Sequence, residues 1–364
     1  MKQKKRNIIT FTILISIIFV IGGYFLYGNY INNKISKMTF IEMVNFTTKN
    51  NNNAGITVGV INNGIISYKV YGKNAEIIQN NGYVYEIGSI TKTFIASILQ
   101  KAILEGEINL NSSINSYLDL PKKVYYPTLK QLITHTSGYK DYYLNLTIIF
   151  NYLNKDKNSF YGINNEKLIE RIGKIDLLKN EHDFLYSNFG IAVIGAVLSK
   201  VYNKNISELI NEYIKTELEL ENTMIFNNSG NLGNYWIWDF NDAFIPAGAL
   251  TSTIDDMLKY TQFHMDGIHD YLLKTHEILV NRVIVSENNF TRMNIRIDGI
   301  GMAWMIDKVN NVIWHNGGTS NYNSYLGFDK EKNIGVVVLS NLSPDYRVSA
   351  TAMGIKYLLE LQNE

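Results

Sequence analysis

The segment SYLGFDKEKNIGVVVLS, residues 324–340, decides the fold because two apolar runs flank a charged turn. The runs 324–329 and 334–339 have the length and character of strands, and the turn 329–333 separates them as a hairpin would. Two further runs of this kind precede them, at residues 300–307 and 312–315. The C-terminal part of the chain is therefore predicted to supply several strands of an antiparallel sheet.

Strand signals return near the start of the chain, at residues 54–71. This stretch is predicted to form two strands joined at Asn62, Asn63 and Gly64, because Asn-Gly tolerates the positive φ of a tight turn. The two ends of the chain are thus expected to contribute to one sheet.

Helical patterns occupy most of the remaining chain. Apolar residues recur at helical spacing over residues 89–105, and Gly106 stands where a C-terminal cap is expected. Residues 130–222 are mostly helical in pattern. Individual helices are predicted at residues 35–48, 190–202 and 348–361. The order predicts an α+β fold, in which an antiparallel central sheet is flanked by helices and a mainly helical lobe is inserted between its two halves.

The first 30 residues carry a targeting signal. Lys2, Lys4, Lys5 and Arg6 precede an uncharged apolar run at residues 8–27, and a membrane-spanning helix needs roughly 20 such residues. The basic cluster should remain cytoplasmic, which places the rest of the chain on the extracytoplasmic side. A cleaved signal peptide is the alternative, but its apolar region is usually shorter and no Ala-x-Ala type site is found here.

These patterns divide the chain into an anchor and one large domain. Residues 1–30 are predicted to form a cytoplasmic basic tip and a single transmembrane helix in the cell membrane. Residues 31–364 are predicted to form an extracytoplasmic domain. Within it, the α/β part covers about 40–125 and 243–364, and the helical lobe covers about 126–242.

The composition excludes several classes of function. Lys plus Arg at 34 against Asp plus Glu at 33 gives a net charge of +1, which provides no broad field to attract a nucleic acid. The absence of cysteine excludes a thiolate nucleophile, so any nucleophile must be an oxygen. No metal or other cofactor is expected, because no HExxH or other ligand spacing occurs among the six histidines: His135, His182, His264, His269, His276 and His315.

The segment EIGSITKTF, residues 86–94, contains the candidate nucleophile. Ser89 stands at the predicted helix start, and Lys92 follows three residues later on the same face. A lysine held among apolar groups can be neutral enough to take the proton of a serine hydroxyl. This spacing is common by chance. The alternative is that Ser89 caps the helix and that Lys92 is a solvated helix residue.

The triplet Tyr186, Ser187, Asn188 follows a turn-like stretch and precedes an apolar helix. A tyrosine can act as a general base or acid, and an asparagine can hydrogen-bond a substrate amide. The alternative is a helix-capping triplet beside a core tyrosine.

The segment WHNGGT, residues 314–319, lies between two predicted strands. Its glycines allow close approach of the backbone to a substrate, and an edge strand there can donate an amide to an oxyanion. His315 could supply a positive charge or a proton at the carboxylate end or leaving group of a substrate. The alternatives are a structural histidine and a simple turn at Gly317 and Gly318.

Taken in order, SxxK, YSN and HxG resemble the motifs of the penicillin-recognising serine hydrolases, most closely the class C β-lactamase, DD-carboxypeptidase and esterase branch. LITHTSG at residues 132–138 and PAGALTSTIDD at 246–256 are similar to stretches of that branch, as is the tail 315–341. The likeness runs from about Ile56 to the C-terminus. His135, inside LITHTSG, is expected to be a structural residue near the cleft.

The resemblance implies a role for each candidate residue. Ser89 would be acylated, Lys92 and Tyr186 would exchange its proton, and Asn188 would bind the substrate amide. The backbone amides of Ser89 and Gly318 would form the oxyanion hole, beside Gly317. His315 replaces the lysine of the KTG version, as in carboxypeptidase and esterase relatives, which weakens a β-lactamase interpretation. Whether Lys92 or Tyr186 is the base stays open, because the two would titrate as a coupled pair.

The sequence therefore predicts a membrane-anchored extracytoplasmic serine hydrolase that acts through an acyl-enzyme. Its expected substrate is a cell-envelope peptide or D-alanyl ester, as for a D-alanyl carboxypeptidase or esterase. One alternative is a β-lactamase or broad esterase, and another is a penicillin-binding or sensor protein without turnover. Residues 141–242 are the least similar to the family and are expected to shape the cleft. Tyr235, Trp236 and Trp238 either line that cleft or pack in the core.

Overall fold

The computed structural model describes residues 28–80, 82–144, 146–153, 158–178, 182–225, 230–281 and 293–364. The predicted membrane anchor at residues 8–27 lies outside these ranges. A search of the described helices finds none with both the length and the apolar character needed to span a bilayer.

The described residues form twelve strands in two antiparallel sheets. Their bounds are β1 Ile56–Asn62, β2 Ile65–Tyr71, β3 Ile77–Ile78, β4 Tyr85–Glu86, β5 Met224–Ile225, β6 Leu250–Ser252, β7 Val280–Asn281, β8 Gly299–Ile300, β9 Met305–Asp307, β10 Val312–Gly318, β11 Asn323–Asp329 and β12 Ile334–Ser340. The large sheet has the order β3-β2-β1-β12-β11-β10-β9-β8-β7. Strand β1 pairs with β12 from Ile56 opposite Ser340 to Asn62 opposite Ile334. The prediction of one sheet built from both ends of the chain is confirmed.

The predicted hairpins form where the sequence placed their turns. Asn63 and Gly64 have φ of 51° and 80° between β1 and β2, and Asn333 has φ of 52° between β11 and β12. The predicted run 300–307 is instead two short strands, because the chain reverses between them at Ala303, whose φ is 61°. Strand β10 also extends past its predicted end to Gly318, so the WHNGGT segment lies largely within a strand and not between two strands.

Helices cover both faces of the large sheet. Helices Phe40–Thr48 and Ala350–Leu361 pack together, and Ala350–Leu361 lies against β11 and β12, while Ile254–Asp266 packs against β1, β11 and β12. All residues of β11 and β12 are consequently buried. The helix bounds are α1 Phe40–Thr48, α2 Thr91–Leu104, α3 Leu129–Ile133, α4 Leu146–Leu153, α5 Asn165–Lys174, α6 Asn188–Tyr202, α7 Ile206–Glu212, α8 Ile245–Gly248, α9 Ile254–Asp266, α10 Asp270–Lys274 and α11 Ala350–Leu361.

The small sheet, with the order β4-β6-β5, was not predicted and positions the candidate nucleophile. It joins β4, just before Ser89, to β6 and β5, which lie after and before the aromatic stretch 235–238. Just after β4, the amide of Ile87 donates to the carbonyl of Leu250 at 3.0 Å. The short length of these strands, two or three residues each, explains why no periodic pattern revealed them.

Candidate active site

Ser89 lies on a single 3-10 turn, Gly88–Ile90, that leads into α2. Gly88 has φ of +49°, and a Cβ on it would lie 2.7 Å from the backbone nitrogen of Gly318. Only a residue without a side chain allows this contact between the turn and the end of β10. The Ser324 hydroxyl holds the same junction by donating to the Ile87 carbonyl at 2.8 Å. Ser89 is thereby placed, partly exposed, next to the backbone of Gly318.

Lys92 is completely buried beneath Ser89, with an exposed fraction of 0%. Its Nζ lies 2.9 Å from Ser89 Oγ, 2.6 Å from Asn188 Oδ1 and 2.5 Å from the Ala247 carbonyl oxygen. Burial lowers the pKa of Lys92 to about 7, although the negative charge of Asp141 acts in the opposite direction. The alternative of a solvated lysine is therefore wrong. The capping alternative for Ser89 is wrong as well, because α2 begins at Thr91 and has no side-chain cap.

Tyr186 lies beside the Lys92 amine. The Nζ of Lys92 is 4.9 Å from the centroid of the Tyr186 ring. Burial raises the pKa of Tyr186 above its usual value and Asp141 adds to this rise, while a hydrogen bond with the Ser89 side chain opposes it. The phenol is therefore protonated at neutral pH, whereas the pKa of Lys92, about 7, lies close to neutral pH.

Asn188 is the first residue of α6, and Ser187 is the N-cap of that helix. The Ser187 hydroxyl accepts from the amide of Gly190 at 2.9 Å, which is the capping role considered for this triplet. The triplet therefore caps the helix and also contributes to the site, because the start of α6 directs Asn188 Oδ1 toward Lys92. The structure thus brings together Ser89, Lys92, Tyr186 and Asn188.

His315 lies on β10 and is fully buried. Its Nδ1 donates to the carbonyl of Asn316 at 2.6 Å. Burial and the nearby charge of Lys92 lower the pKa of His315 to about 3, so the ring is neutral at neutral pH. Of the two contributions considered for His315, a positive charge or a proton, the lowered pKa disfavours the positive charge in the absence of a substrate. Nε2 of the neutral ring is then a hydrogen-bond acceptor, and among the described residues it has no partner.

Gly317 and Gly318 end β10 against the turn that carries Ser89. A Cβ on Gly317 would lie only 1.9 Å from the carbonyl oxygen of Ile87, so a larger residue cannot be placed there without moving the strand. The two glycines therefore form part of the strand and not a simple turn, and they bring the backbone of Gly318 close to Ser89.

His135 has a larger place in the site than its sequence context indicated. Its φ is 57°, an uncommon conformation for a residue with a side chain. Its carbonyl accepts from the amide of Leu185 at 2.8 Å, and its Nδ1 accepts from the amide of Ser187 at 3.2 Å. The ring centroids of His135 and Tyr186 are 4.5 Å apart. His135 thus fixes the backbone on both sides of Tyr186.

Two carboxylates near the site had no signal in the sequence. Asp141 Oδ1 accepts from the amide of Asn188 at 2.9 Å. Glu86 is buried, and its two oxygens accept from the Thr319 hydroxyl and from the amide of Trp236, each at 2.5 Å. Burial raises the pKa of Glu86 to about 7. Glu86 connects the end of β10 to the aromatic stretch, and both contacts join residues about 150 or more positions apart, which no local pattern reveals.

Metal chemistry has no candidate cluster in the part of the chain that the structure describes. There, no three His, Cys, Asp or Glu side chains are grouped so that they could hold an ion.

Comparison with solved structures identifies the fold. A β-lactamase/D-alanine carboxypeptidase from Yersinia pestis, solved with citrate, superposes with a TM-score of 0.68 at 19% identity, covering 92% of this chain and 99% of that one. An octameric penicillin-binding protein homologue from Pyrococcus abyssi gives a TM-score of 0.66 at 21% identity, covering 85% of this chain and 74% of that one. At these identities the likeness extends to the fold alone.

Curated sequences show a similar level of resemblance. Protein flp of Staphylococcus aureus strain MW2 is 21% identical over 310 residues, which are 75% of this chain and 59% of that protein. A β-lactamase of Providencia stuartii is 25% identical over 232 residues, or 59% of this chain and 56% of that protein. The chain thus spans less than two thirds of the length of these relatives. The sequence model of the Beta-lactamase family matches residues 43–355, and the chain belongs to this family, whose fold is typical of serine hydrolases.

Proposed function

We propose that this chain is a serine hydrolase that forms an acyl-enzyme on Ser89. The observation that carries this proposal is the buried Lys92, whose Nζ lies 2.9 Å from Ser89 Oγ and whose pKa is lowered to about 7. A lysine with this pKa is neutral in a large fraction of the molecules at neutral pH, so it can accept the serine proton.

The groups of the site support the following sequence of steps. Ser89 Oγ bonds to the substrate carbonyl carbon as its proton passes to Lys92, and the backbone amides of Ser89 and Gly318 stabilise the oxyanion. The bond to the leaving group then breaks, and Tyr186, which is protonated at neutral pH, gives that group a proton and regains one from Lys92. Water then attacks the acyl carbon and releases the acid. The opposite directions of the two pKa shifts favour Lys92 as the base and Tyr186 as the acid.

As substrate we propose a D-alanyl peptide or D-alanyl ester of the cell envelope. The structural neighbour described as a β-lactamase/D-alanine carboxypeptidase supports this class, as does the apolar run at residues 8–27, which would hold the site near such polymers. The neutral His315 is a weak partner for a substrate carboxylate, so esters are favoured over peptides that end in a free carboxylate. Hydrolysis of β-lactams is the second candidate, since one curated relative is a β-lactamase.

The test is acylation of the full-length protein, measured by intact mass spectrometry with a fluorophosphonate and with a β-lactam. Wild-type protein should gain one adduct, and Ser89→Ala should gain none. Ser97→Ala, which removes a buried hydroxyl two turns along α2, is the matched control and should be labelled like wild type. No Ser89-dependent adduct with either probe, together with no ester hydrolysis, would refute the hydrolase proposal.

D-alanine release from D-alanylated polymers and from muropeptides then separates the ester from the peptide substrate.

We also propose that residues 8–27 anchor the protein in the cell membrane with the site on the extracytoplasmic side. Four basic residues before this uncharged apolar run support that orientation. Membrane fractionation and protease accessibility in intact spheroplasts should find the full-length chain in the membrane and its domain cleavable from outside. Recovery of the chain in the soluble fraction, uncut by external protease, would contradict the proposal.

A further inference from the structure

A cavity of about 490 Å³ opens beside the candidate active site. Its walls are mostly apolar and aromatic, and its polar end is formed by Asp141 and Asn188. The main apolar lining residues are Leu144, Ile149, Tyr152, Leu153, Phe160 and Trp236. This volume and this mixture of many apolar walls with few polar groups are typical of small-molecule sites.

The cavity adjoins the catalytic groups at one side chain. Asn188 lines the cavity, and its Oδ1 lies 2.6 Å from Lys92 Nζ. That nitrogen is 2.9 Å from Ser89 Oγ. The cavity therefore begins one side chain away from the group that contacts Ser89, which places it within reach of a chain attached to the reacting carbonyl.

The outer wall of the cavity is helix α4, with the sequence LTIIFNYL. It contains no charged residue, and Leu153 on it is 72% exposed. Helices on the surface of a soluble domain normally carry charged or polar residues on their solvent face. Leu144 and Tyr152 are exposed apolar residues on the same wall. A contiguous exposed apolar surface of this kind marks a place where a ligand or a partner is bound.

We propose that this cavity binds an apolar chain of the substrate, an alkyl or aryl group joined to the ester or amide that Ser89 attacks. The concave shape and the direct link to Lys92 favour a substrate chain over a protein or membrane surface. The proposal rests on the hydrolase function above, and it adds that an apolar chain next to the attacked bond, on the acyl side or on the leaving-group side, raises kcat/KM.

The first experiment measures kcat/KM of the full-length protein for p-nitrophenyl acetate, butyrate and octanoate, presented below their micellar concentrations. Each methylene buried in an apolar site is worth at most roughly a factor of three to four. Because the cavity is open to solvent, we expect octanoate to exceed acetate by at least about tenfold. A second series of acetate esters with short and long alcohols shows whether the chain belongs to the acyl half or to the leaving group. Flat profiles in both series would overturn the proposal.

The second experiment compares two leucines on α4 that have nearly the same exposure. Leu153, 72% exposed, lines the cavity, whereas Leu146, 73% exposed, does not. Leu153→Ser should lower the octanoate-to-acetate ratio of kcat/KM by about fivefold to tenfold, and Leu146→Ser should leave it unchanged. This ratio does not depend on the fraction of folded protein. Equal losses in both variants would mean that the apolar surface acts as a whole, as in membrane docking, and would refute a substrate chain in the cavity.

The third experiment separates the cavity from the catalytic proposal. Ser89→Ala protein is titrated calorimetrically with octanamide and with acetamide, which carry the same amide and differ in the chain. The inference predicts tighter binding of octanamide, and weaker binding of it by Ser89→Ala, Leu153→Ser than by Ser89→Ala, Leu146→Ser. Chain-dependent binding without any hydrolysis by wild type would contradict the hydrolase and retain the cavity. No chain dependence would contradict the cavity even in an active enzyme.

Discussion

Two pairs of buried histidines are held in different ways in this molecule. His264 Nδ1 and His276 Nε2 lie 2.9 Å apart and share one hydrogen bond. His135 and His315 instead each bind a backbone group of the segments that form the site. Burial lowers the pKa of all four rings. A buried, neutral histidine is therefore no sign of function by itself.

The surroundings of the two pairs distinguish them. The His264 and His276 rings pack against Trp304 and Phe328 in an aromatic cluster of the core. The charge of Lys92 acts on both rings of the other pair. The rings of His264 and His276 hydrogen-bond each other within the core. The rings of His135 and His315 instead hold backbone segments around the titrating amine of Lys92. The comparison predicts that changes to the first cluster affect stability and that changes to the second affect rate.

The largest expected effect comes from removing the amine from the site cluster. Lys92→Met should lower kcat/KM by roughly 10³-fold, because Tyr186, which also hydrogen-bonds Ser89, has a raised pKa and stays protonated at neutral pH. The melting temperature should not fall, because the buried ammonium costs desolvation energy that methionine does not. Lys101→Met, at the exposed end of the same helix, is the control and should retain full activity. Retained activity in Lys92→Met would contradict the prediction that changes around Lys92 affect the rate, whereas changes to the core histidines affect stability.

A titration of activity gives the next largest effect. Because Lys92 acts as a base only when neutral, kcat/KM should rise with pH through an apparent pKa of about 7. Below that value the rate should fall about tenfold per pH unit. Steady-state kinetics with a neutral ester between pH 5 and pH 9 measures it, under conditions where circular dichroism shows a folded protein. A profile without a rising limb in this range would contradict the role of Lys92.

The core pair should control acid stability. The pKa of His264 is lowered to about 3, and an unfolded histidine titrates near 6.5, so the unfolded state binds more protons between these values. The contribution of His264 to the free energy of unfolding should be fully present above about pH 6.5. It should decrease as pH falls, by up to about 1.4 kcal/mol per pH unit. His264→Phe should make this decrease shallower and cost about 1–2 kcal/mol at neutral pH, because His276 loses its partner.

Urea denaturation at several pH values measures this effect, with His269→Phe as the control, since His269 is partly exposed. The kcat/KM of His264→Phe should equal that of wild type. A tenfold loss of activity with unchanged acid stability would show that the comparison has assigned the two clusters wrongly.

The smallest expected effect concerns Asp141. Its charge raises the pKa of Lys92, so Asp141→Asn should move the rising limb of the pH profile to lower pH. Asparagine keeps an oxygen that can accept from the amide of Asn188, so the start of α6 should be preserved. The same kinetic titration measures the shift. Asp119→Asn, which changes an exposed carboxylate, should leave the limb in place. A limb that moves to higher pH would contradict the electrostatic account.

Much of the fold could be predicted from the sequence because its signals are local. Asn63, Gly64 and Asn333 adopt positive φ at the predicted hairpin turns, and the helix after Ser89 ends just before Gly106, whose φ is +80°. Turn chemistry and helical periodicity depend on neighbours within a few residues. The α+β arrangement with an antiparallel sheet follows from the order of such elements.

The candidate site was predicted only as a set of motifs. Ser89, Lys92, Tyr186, Asn188 and His315 were identified through their spacing and order. Their electrostatic state was not, since the pKa of a group depends on which distant segments bury it. For His315, the sequence left a positive charge or a proton open, and only its burial in the fold lowers the pKa of the ring.

The local sequence by itself determines the hairpins, the helices and the presence of a serine followed by a lysine on one helical face. Only the folded chain brings Lys92 to Asn188 and Ala247, which are 96 and 155 residues away. Burial among these distant segments lowers the pKa of the lysine to about 7, and the same packing leaves an apolar cavity lined in part by Asn188. Burial and enclosure are properties of long-range packing, so no pattern of neighbouring residues contains them.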